Sequence, residues 1–171
     1  IVVTGGSSGI GHALATMISS INSQEDLYLI SRRNPGVEGC KWLNYDISDV
    51  DQINMVIHEL KQVNLPISLM VHCAGTMRTF PSFSVDPKEY IASLTVNCVA
   101  PITITSQLIK QLARGKGLAI AISSIASDLS IPGELIYSSS KSALRKGFEN
   151  LSADLSRLGC SFVTISPCMM D

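Results

Sequence analysis

Long apolar runs, clustered charge and paired cysteines are all missing from this chain. No apolar stretch approaches the roughly 18 residues needed to cross a bilayer, so no membrane partner is expected. Thirteen Lys and Arg against fourteen Asp and Glu leave a net charge of −1. Without a basic run, nucleic acid has no electrostatic footprint to bind. The acids are scattered too, as on ordinary solvated faces. Cys40, Cys73, Cys98, Cys160 and Cys168 are odd in number and include no C-x-x-C spacing. They read as buried free thiols of a reducing, cytoplasmic compartment. His12, His58 and His72 fall in separate segments without ligand spacing, so no metal site is expected. Nothing resembles a secretion signal.

What is present is an apolar chain, 46% hydrophobic over 171 residues, enough to bury one sizeable core. One domain over 1–171 is the expectation. Both ends read as cut: the chain opens inside a strand without an initiator Met and stops just after a loop-like Pro-Cys. Ile1–Thr4, Leu27–Ser31, Lys41–Tyr45, Ile67–Cys73, Leu118–Ser123 and Ser161–Ser166 are strand-like runs. Most are almost continuously apolar, as expected when helices cover both faces of a parallel sheet.

Helix-period segments lie between them. Ile10, Leu14, Met17, Ile18 and Ile21 share one face. Ser48 with Asp51 opens a second helix whose inner face is Ile53, Val56, Ile57 and Leu60. Asp86-Pro87-Lys88-Glu89 combines an N-cap acceptor, Pro at the first helical position and an acid at the third. A long helix Pro87–Ala113 is expected to follow. Leu144, Phe148, Leu151, Leu155 and Leu158 form an apolar stripe stopped at Gly159. Arg32–Cys40, with Pro35, Gly36 and Gly39, reads as a loop. The alternation predicts a doubly wound α/β sheet.

The first strand runs into Thr4-Gly5-Gly6-Ser7-Ser8-Gly9-Ile10-Gly11. Gly5 permits a tight strand-to-helix turn, and Gly9 and Gly11 let backbone N–H groups reach a phosphate at the positive helix end. The absence of Gly-Lys-Ser/Thr argues against a nucleotide hydrolase loop. Ser31-Arg32-Arg33 closes the second strand without the acid that would accept from a ribose diol. Arg32 offers a fork of donors suited to a 2′-phosphate, which favours NADP, with NAD the alternative. The bland reading of both arginines is solvated surface. Asp46 ends the third strand, where it either accepts from an adenine amino group or caps a turn.

Tyr137 and Lys141 are four residues apart, so a helix projects both from one face. A phenol has a pKa of about 10, and an ammonium about 5 Å away favours the phenolate by roughly 3 kcal/mol, about two pKa units. That brings a proton donor nearer neutrality. Ser123-Ser124 ends the preceding strand, where either hydroxyl could donate to a substrate oxyanion or merely cap. Pro101 has no N–H, so the Asn97 carbonyl loses its usual helical partner; it either holds a water beside Lys141 or marks a helix bend of no chemical use.

These residues resemble the short-chain dehydrogenase/reductase family of the classical type, in order and through almost the whole chain. The resemblance implies a Rossmann-like, three-layer α/β/α fold. Gly5, Ser7, Ser8, Gly9, Ile10 and Gly11 look like its cofactor loop, and Asp46 with Ile47 its adenine contact. His72-Cys73-Ala74-Gly75 is similar to its Asn-Asn-Ala-Gly segment, leaving Ala74 and Gly75 to approach the cofactor. Asn97, Ser124, Tyr137 and Lys141 match its active tetrad, and the thirteen residues from Ser124 to Tyr137 select Ser124 over Ser123. In that tetrad Tyr137 and Lys141 also bind the cofactor. Pro167-Cys168-Met169-Met170 resembles its nicotinamide loop, with Pro167 and Met170 as contacts and Cys168 in place of Gly. The family's substrate lid and last strand would follow Asp171.

The implied activity is NADP-dependent hydride transfer to or from a small carbonyl or alcohol. A homodimer or homotetramer built on Pro87–Ala113 and Ser138–Leu158 is implied as well. A cofactor-binding regulator without turnover, and an epimerase or lyase using the nicotinamide transiently, are the competing readings. Met169 and Met170 hint at an adaptable apolar wall.

Overall fold

The computed structural model describes residues 1–21 and 26–168. Among the described residues, six strands form one sheet: β1 (Val2–Thr4), β2 (Leu27–Ser31), β3 (Cys40–Asn44), β4 (Leu69–His72), β5 (Leu118–Ile122) and β6 (Ser161–Ile165). Their order is β3-β2-β1-β4-β5-β6, and every pairing is parallel. Val3 lies opposite Leu29 on one side and Val71 on the other. The order reverses direction at β1 and β4, where their carboxyl ends open a crevice.

Period-two alternation divides the apolar residues between the sheet's faces. Val2, Tyr28, Ile30, Met70 and Ala119 pack with α2 (Val50–Val63), α4 (Ala100–Gln107) and α6 (Leu135–Leu155). Val3, Leu29 and Val71 pack instead with Ala15 and Ile18 of α1 (Gly9–Ile21). The result is the doubly wound, Rossmann-like three-layer fold. Phe148 and Leu144 of α6 are fully buried, and truncating Phe148 to Ala would cost about 3–5 kcal/mol. As expected, the link from β2 to β3 carries no helix.

Three local expectations are corrected. Asp49, not Ser48, caps α2, its carboxylate accepting from Asp51 N–H at 2.9 Å. Ser48 is drawn away because its own N–H and hydroxyl both bind Asp46. The helix expected over Pro87–Ala113 is broken into α3 (Pro87–Leu94), a π turn (Thr95–Val99), α4, and α5 (Ile109–Arg114). Pro101 forces the first break by withholding its N–H; the π turn is closed by Ala100 N–H donating to the Thr95 carbonyl. Leu108, at φ −101 and ψ 17, makes the second. The thiols are not uniformly buried: Cys160 is buried, Cys40, Cys73 and Cys98 are half-buried, and Cys168 is exposed on the loop after β6. All five are free.

The start signal at Asp86 holds, with its carboxylate accepting from Lys88 N–H at 2.9 Å. Gly159 ends the last helical turn at φ 82, a left-handed angle that glycine adopts freely. Among the described residues, no helix is long and apolar enough to cross a membrane.

Candidate active site

The glycine turn after β1 is built against β4. Gly5 has φ +78, and a Cβ there would stand 2.6 Å from the Ala74 backbone nitrogen. Gly9 has φ +54 with open space around it, so its demand is conformational only. Gly11 serves packing: a Cβ would collide with the Gly5 carbonyl and touch Cys73. The first turn of α1 carries no acidic residue, which leaves its positive end to an outside anion.

A crevice of about 320 Å³ opens over this turn, lined by Gly5, Ser7, Ser8, Arg32, Asp46, Ile47, Ala74 and Gly75 among others. Eight expected cofactor contacts thus line it, whereas Asn97, Ser124, Tyr137, Lys141 and Pro167 do not. Gly9, Ile10 and Gly11 form the first turn of α1 and are not in the crevice lining. A hollow of similar volume, about 330 Å³, lies at the amino ends of the strands beside Ile1, Val63 and Ile67. Its lining is mainly apolar and holds none of the expected site residues. The crevice at the carboxyl ends is therefore the better candidate.

At the far end of the crevice, Arg32 hangs 3.7 Å from Asp46 with 73% of its side chain exposed. Asp46 accepts from Ser48 N–H at 2.9 Å through Oδ1, so it is a turn former in this structure, with Oδ2 facing Arg32. Arg33 is exposed and lines the same crevice.

Lys141 and Asn97 approach the crevice at Gly75. A Cβ there would lie 3.5 Å from Lys141 Nζ and 3.3 Å from Asn97 Oδ1. Ile136, next to Tyr137, is also in the wall. Lys141 Nζ lies 5.8 Å from the Tyr137 ring centroid and donates to the Ile122 carbonyl at 2.7 Å. An ammonium has three hydrogens, so that bond occupies one. Burial pulls the Lys141 pKa down to about 8, opposed by the nearby Cys73. The same burial pushes the Cys73 thiol up to about 11. Near neutral pH the lysine is therefore charged and the thiol is not.

The two serines after β5 separate cleanly. Ser123 is buried and donates to the Lys141 carbonyl at 3.3 Å, a structural tie. Ser124 is half-buried and accepts from Ala126 N–H at 3.2 Å, a bond that leaves its own hydrogen to donate. Pro167 accepts from Ile125 N–H at 3.4 Å, which brings the loop after β6 beside Ser124. Met169 and Met170 lie outside the described residues.

No spacing in the sequence marks the partners of the Asn97 side chain. Asn97 is fully buried, accepts from Thr76 N–H at 2.8 Å and donates to the Thr76 carbonyl at 2.9 Å. Ser140 was missed entirely; its place directly before Lys141 was the available signal. His72 has a different surprise. Its Nε2 is 2.8 Å from Thr105 Oγ1, whose hydrogen points to Met70 Sδ. His72 Nδ1 is buried without a hydrogen-bond partner. Burial alone drops its pKa to about 3. Among the described residues, no three His, Cys, Asp or Glu side chains gather as a metal site.

The short chain dehydrogenase family matches residues 1–171, and the chain belongs to that family. A short chain dehydrogenase of Pseudocercospora fijiensis is 30% identical over 97% of the chain and 58% of its own length. The NADPH-dependent 3-dehydrocapnine reductase of Ornithobacterium rhinotracheale is 29% identical over 97% of the chain and 63% of its own length. The chain thus spans about three-fifths of both relatives. A 4-hydroxyisoleucine dehydrogenase, solved with NADH and succinate, superposes with a TM-score of 0.89 at 22% identity. That match covers 99% of this chain and 79% of the other, and shows a shared fold.

Proposed function

We propose that this chain is the dinucleotide-binding domain of an NADP-dependent oxidoreductase acting on a carbonyl or alcohol, with Tyr137 as general acid and base. The observation that carries the reading is the meeting of the glycine-turn crevice with Lys141 and Asn97 at Gly75. The fit to a dinucleotide rests on the shape of the turn. Gly5 lets the chain pass against Ala74, and the start of α1 carries no acidic side chain that would repel a phosphate.

Gly5, Ser7, Ser8, Gly9, Ile10 and Gly11 would hold the pyrophosphate through backbone N–H groups. Ala74 and Gly75 would lie against the sugar side, Asp46 and Ile47 against the adenine, and Pro167 with Met170 against the nicotinamide. Bound there, the nicotinamide supplies or accepts the hydride.

The chain's own groups do the rest. Tyr137 gives its phenolic proton to the forming alkoxide, or takes it in the opposite direction. The Lys141 ammonium stabilises the phenolate, and its remaining hydrogens suit the ribose hydroxyls. Ser124 donates to the carbonyl oxygen as negative charge develops there. Asn97 braces the loop at Thr76. Arg32 favours NADP over NAD because a guanidinium matches a 2′-phosphate. The NADPH dependence named for the Ornithobacterium relative supports that choice, and the NADH bound to the 4-hydroxyisoleucine dehydrogenase keeps NAD in view. A cytoplasmic homodimer or homotetramer, joined through α3 to α5 and α6, completes the proposal.

The test is consumption of NADPH and NADH against a panel of ketones and ketoacyl thioesters. Turnover with NADPH, and a KM for NADPH raised about tenfold or more by Arg32→Ala while that for NADH holds, supports the reading. Cofactor binding with no turnover on any carbonyl favours the regulator. Product isomers without net oxidation favour the epimerase.

A further inference from the structure

Ser140 has no part in the chemistry above, yet it is fully buried between the segments that carry it. Its Oγ donates to the Tyr137 carbonyl at 2.7 Å and accepts from Asn97 Nδ2 at 2.9 Å. Asn97 grips both backbone groups of Thr76, and Thr76 lines the crevice next to Gly75. An unbroken series of hydrogen bonds therefore runs from the backbone of Tyr137 to the crevice wall.

Two features distinguish this hydroxyl from an ordinary helical serine. Bonding back to a carbonyl three residues earlier is common and keeps Ser140 within its own helix. Its second bond leaves α6 for the π turn, a widened turn of the kind that recurs at functional sites. Moreover, Asn97 Nδ2 has two hydrogens but three oxygen neighbours: the Thr76 carbonyl, Ser140 Oγ, and Ser93 Oγ at 3.2 Å. The two shorter contacts take the hydrogens. Because Asn97 is fully buried, water does not readily replace a lost acceptor.

We propose that Ser140 is a positioning residue, its hydroxyl tying the Tyr137 backbone through Asn97 to the Gly75–Thr76 wall so that phenol and cofactor crevice keep one register. The inference rests on Tyr137 being the proton-transfer group. Small displacements of a reacting group are expensive in rate, up to about a hundredfold for 1 Å.

The experiment measures kcat, substrate KM, NADPH Kd and thermal midpoint for Ser140→Ala, Ser140→Cys, Ser93→Ala and Tyr137→Phe. Ser140→Ala is expected to lower kcat by about tenfold or more, with KM and Kd within about threefold. Ser140→Cys keeps the volume with a weaker hydrogen-bonding group, so an intermediate kcat is expected; it decides the matter if the alanine variant folds poorly. Ser93→Ala reaches the same amide without touching Tyr137, and a smaller loss is expected. Parent kcat in either Ser140 variant overturns the proposal. So does an equal loss in Ser93→Ala, which would make the role one of packing around Asn97, or a loss confined to NADPH Kd. If Tyr137→Phe keeps turnover, the underlying reading fails; if it is dead while Ser140→Ala is unimpaired, the positioning role alone fails.

Discussion

Lys141 reaches from the middle of α6 to the last residue of β5, its Nζ donating to the Ile122 carbonyl at 2.7 Å. The contact locks the helix bearing Tyr137 onto the carboxyl end of the sheet, beside the crevice. It also holds a cation where burial disfavours it, at a pKa of about 8 against an ordinary 10.5. The unfolded chain binds the extra proton between those values, so this group contributes stability only as pH rises through about 8 toward 10.5. At pH 7 the buried charge is therefore a stability cost.

Lys141→Met is therefore expected to lose at least about a hundredfold in kcat while raising the thermal midpoint at pH 7. Wild-type reduction is expected to weaken above about pH 8, as the ammonium that supports Tyr137 loses its proton. Thermal unfolding and a pH series of kcat check both. A variant both less stable and fully active contradicts the account.

His72 is expected to contribute to loss of stability in acid. Its pKa is about 3 when buried against 6.5 when free, so the unfolded chain takes up a proton first as pH falls. Stability is lost from about pH 6.5 down toward 3, by an amount on the order of several kcal/mol. His72→Gln keeps a polar partner for Thr105 without titrating there, and its urea midpoint is expected to fall less between pH 7 and pH 4. Parallel falls in both proteins would show that other groups govern the acid limb.

Gly5 and Gly9 both have positive φ, yet their alanine variants are expected to differ sharply. Gly5→Ala drives a Cβ to 2.6 Å from the Ala74 nitrogen, so cofactor binding and folding should both suffer. Gly9→Ala meets open space and pays only for a left-handed angle, about 1–2 kcal/mol. Denaturant titration with NADPH fluorescence quenching separates them. Equal damage would mean that the turn tolerates neither for a reason other than the close approach to β4.

The strands were legible because burial between two helical layers writes apolar runs such as Leu27–Ile30 directly into the chain. The glycine turn was legible too, although Gly11 proves to serve packing against Gly5 as well as any phosphate. Local patterns carried less at the break near Pro101, where apolar spacing continues through Val99 and Ile102 while the backbone widens into a π turn. Least visible were bonds between distant segments. Nothing in sequence spacing tells that Asn97 holds Thr76, or that Ser123 ties to Lys141 while Ser124 keeps its hydrogen. Asp49 over Ser48 was a contest between two adjacent capping residues, decided by Asp46 engaging the serine.

The most direct measurement compares Tyr137→Phe with the parent protein in cofactor binding and turnover on one carbonyl substrate found active in the panel. The substitution removes a single oxygen from the ring beside Lys141. NADPH Kd is expected to stay within about threefold and kcat to fall by at least about a hundredfold, the scale of lost acid–base catalysis. Parent-like kcat in the phenylalanine variant would contradict it.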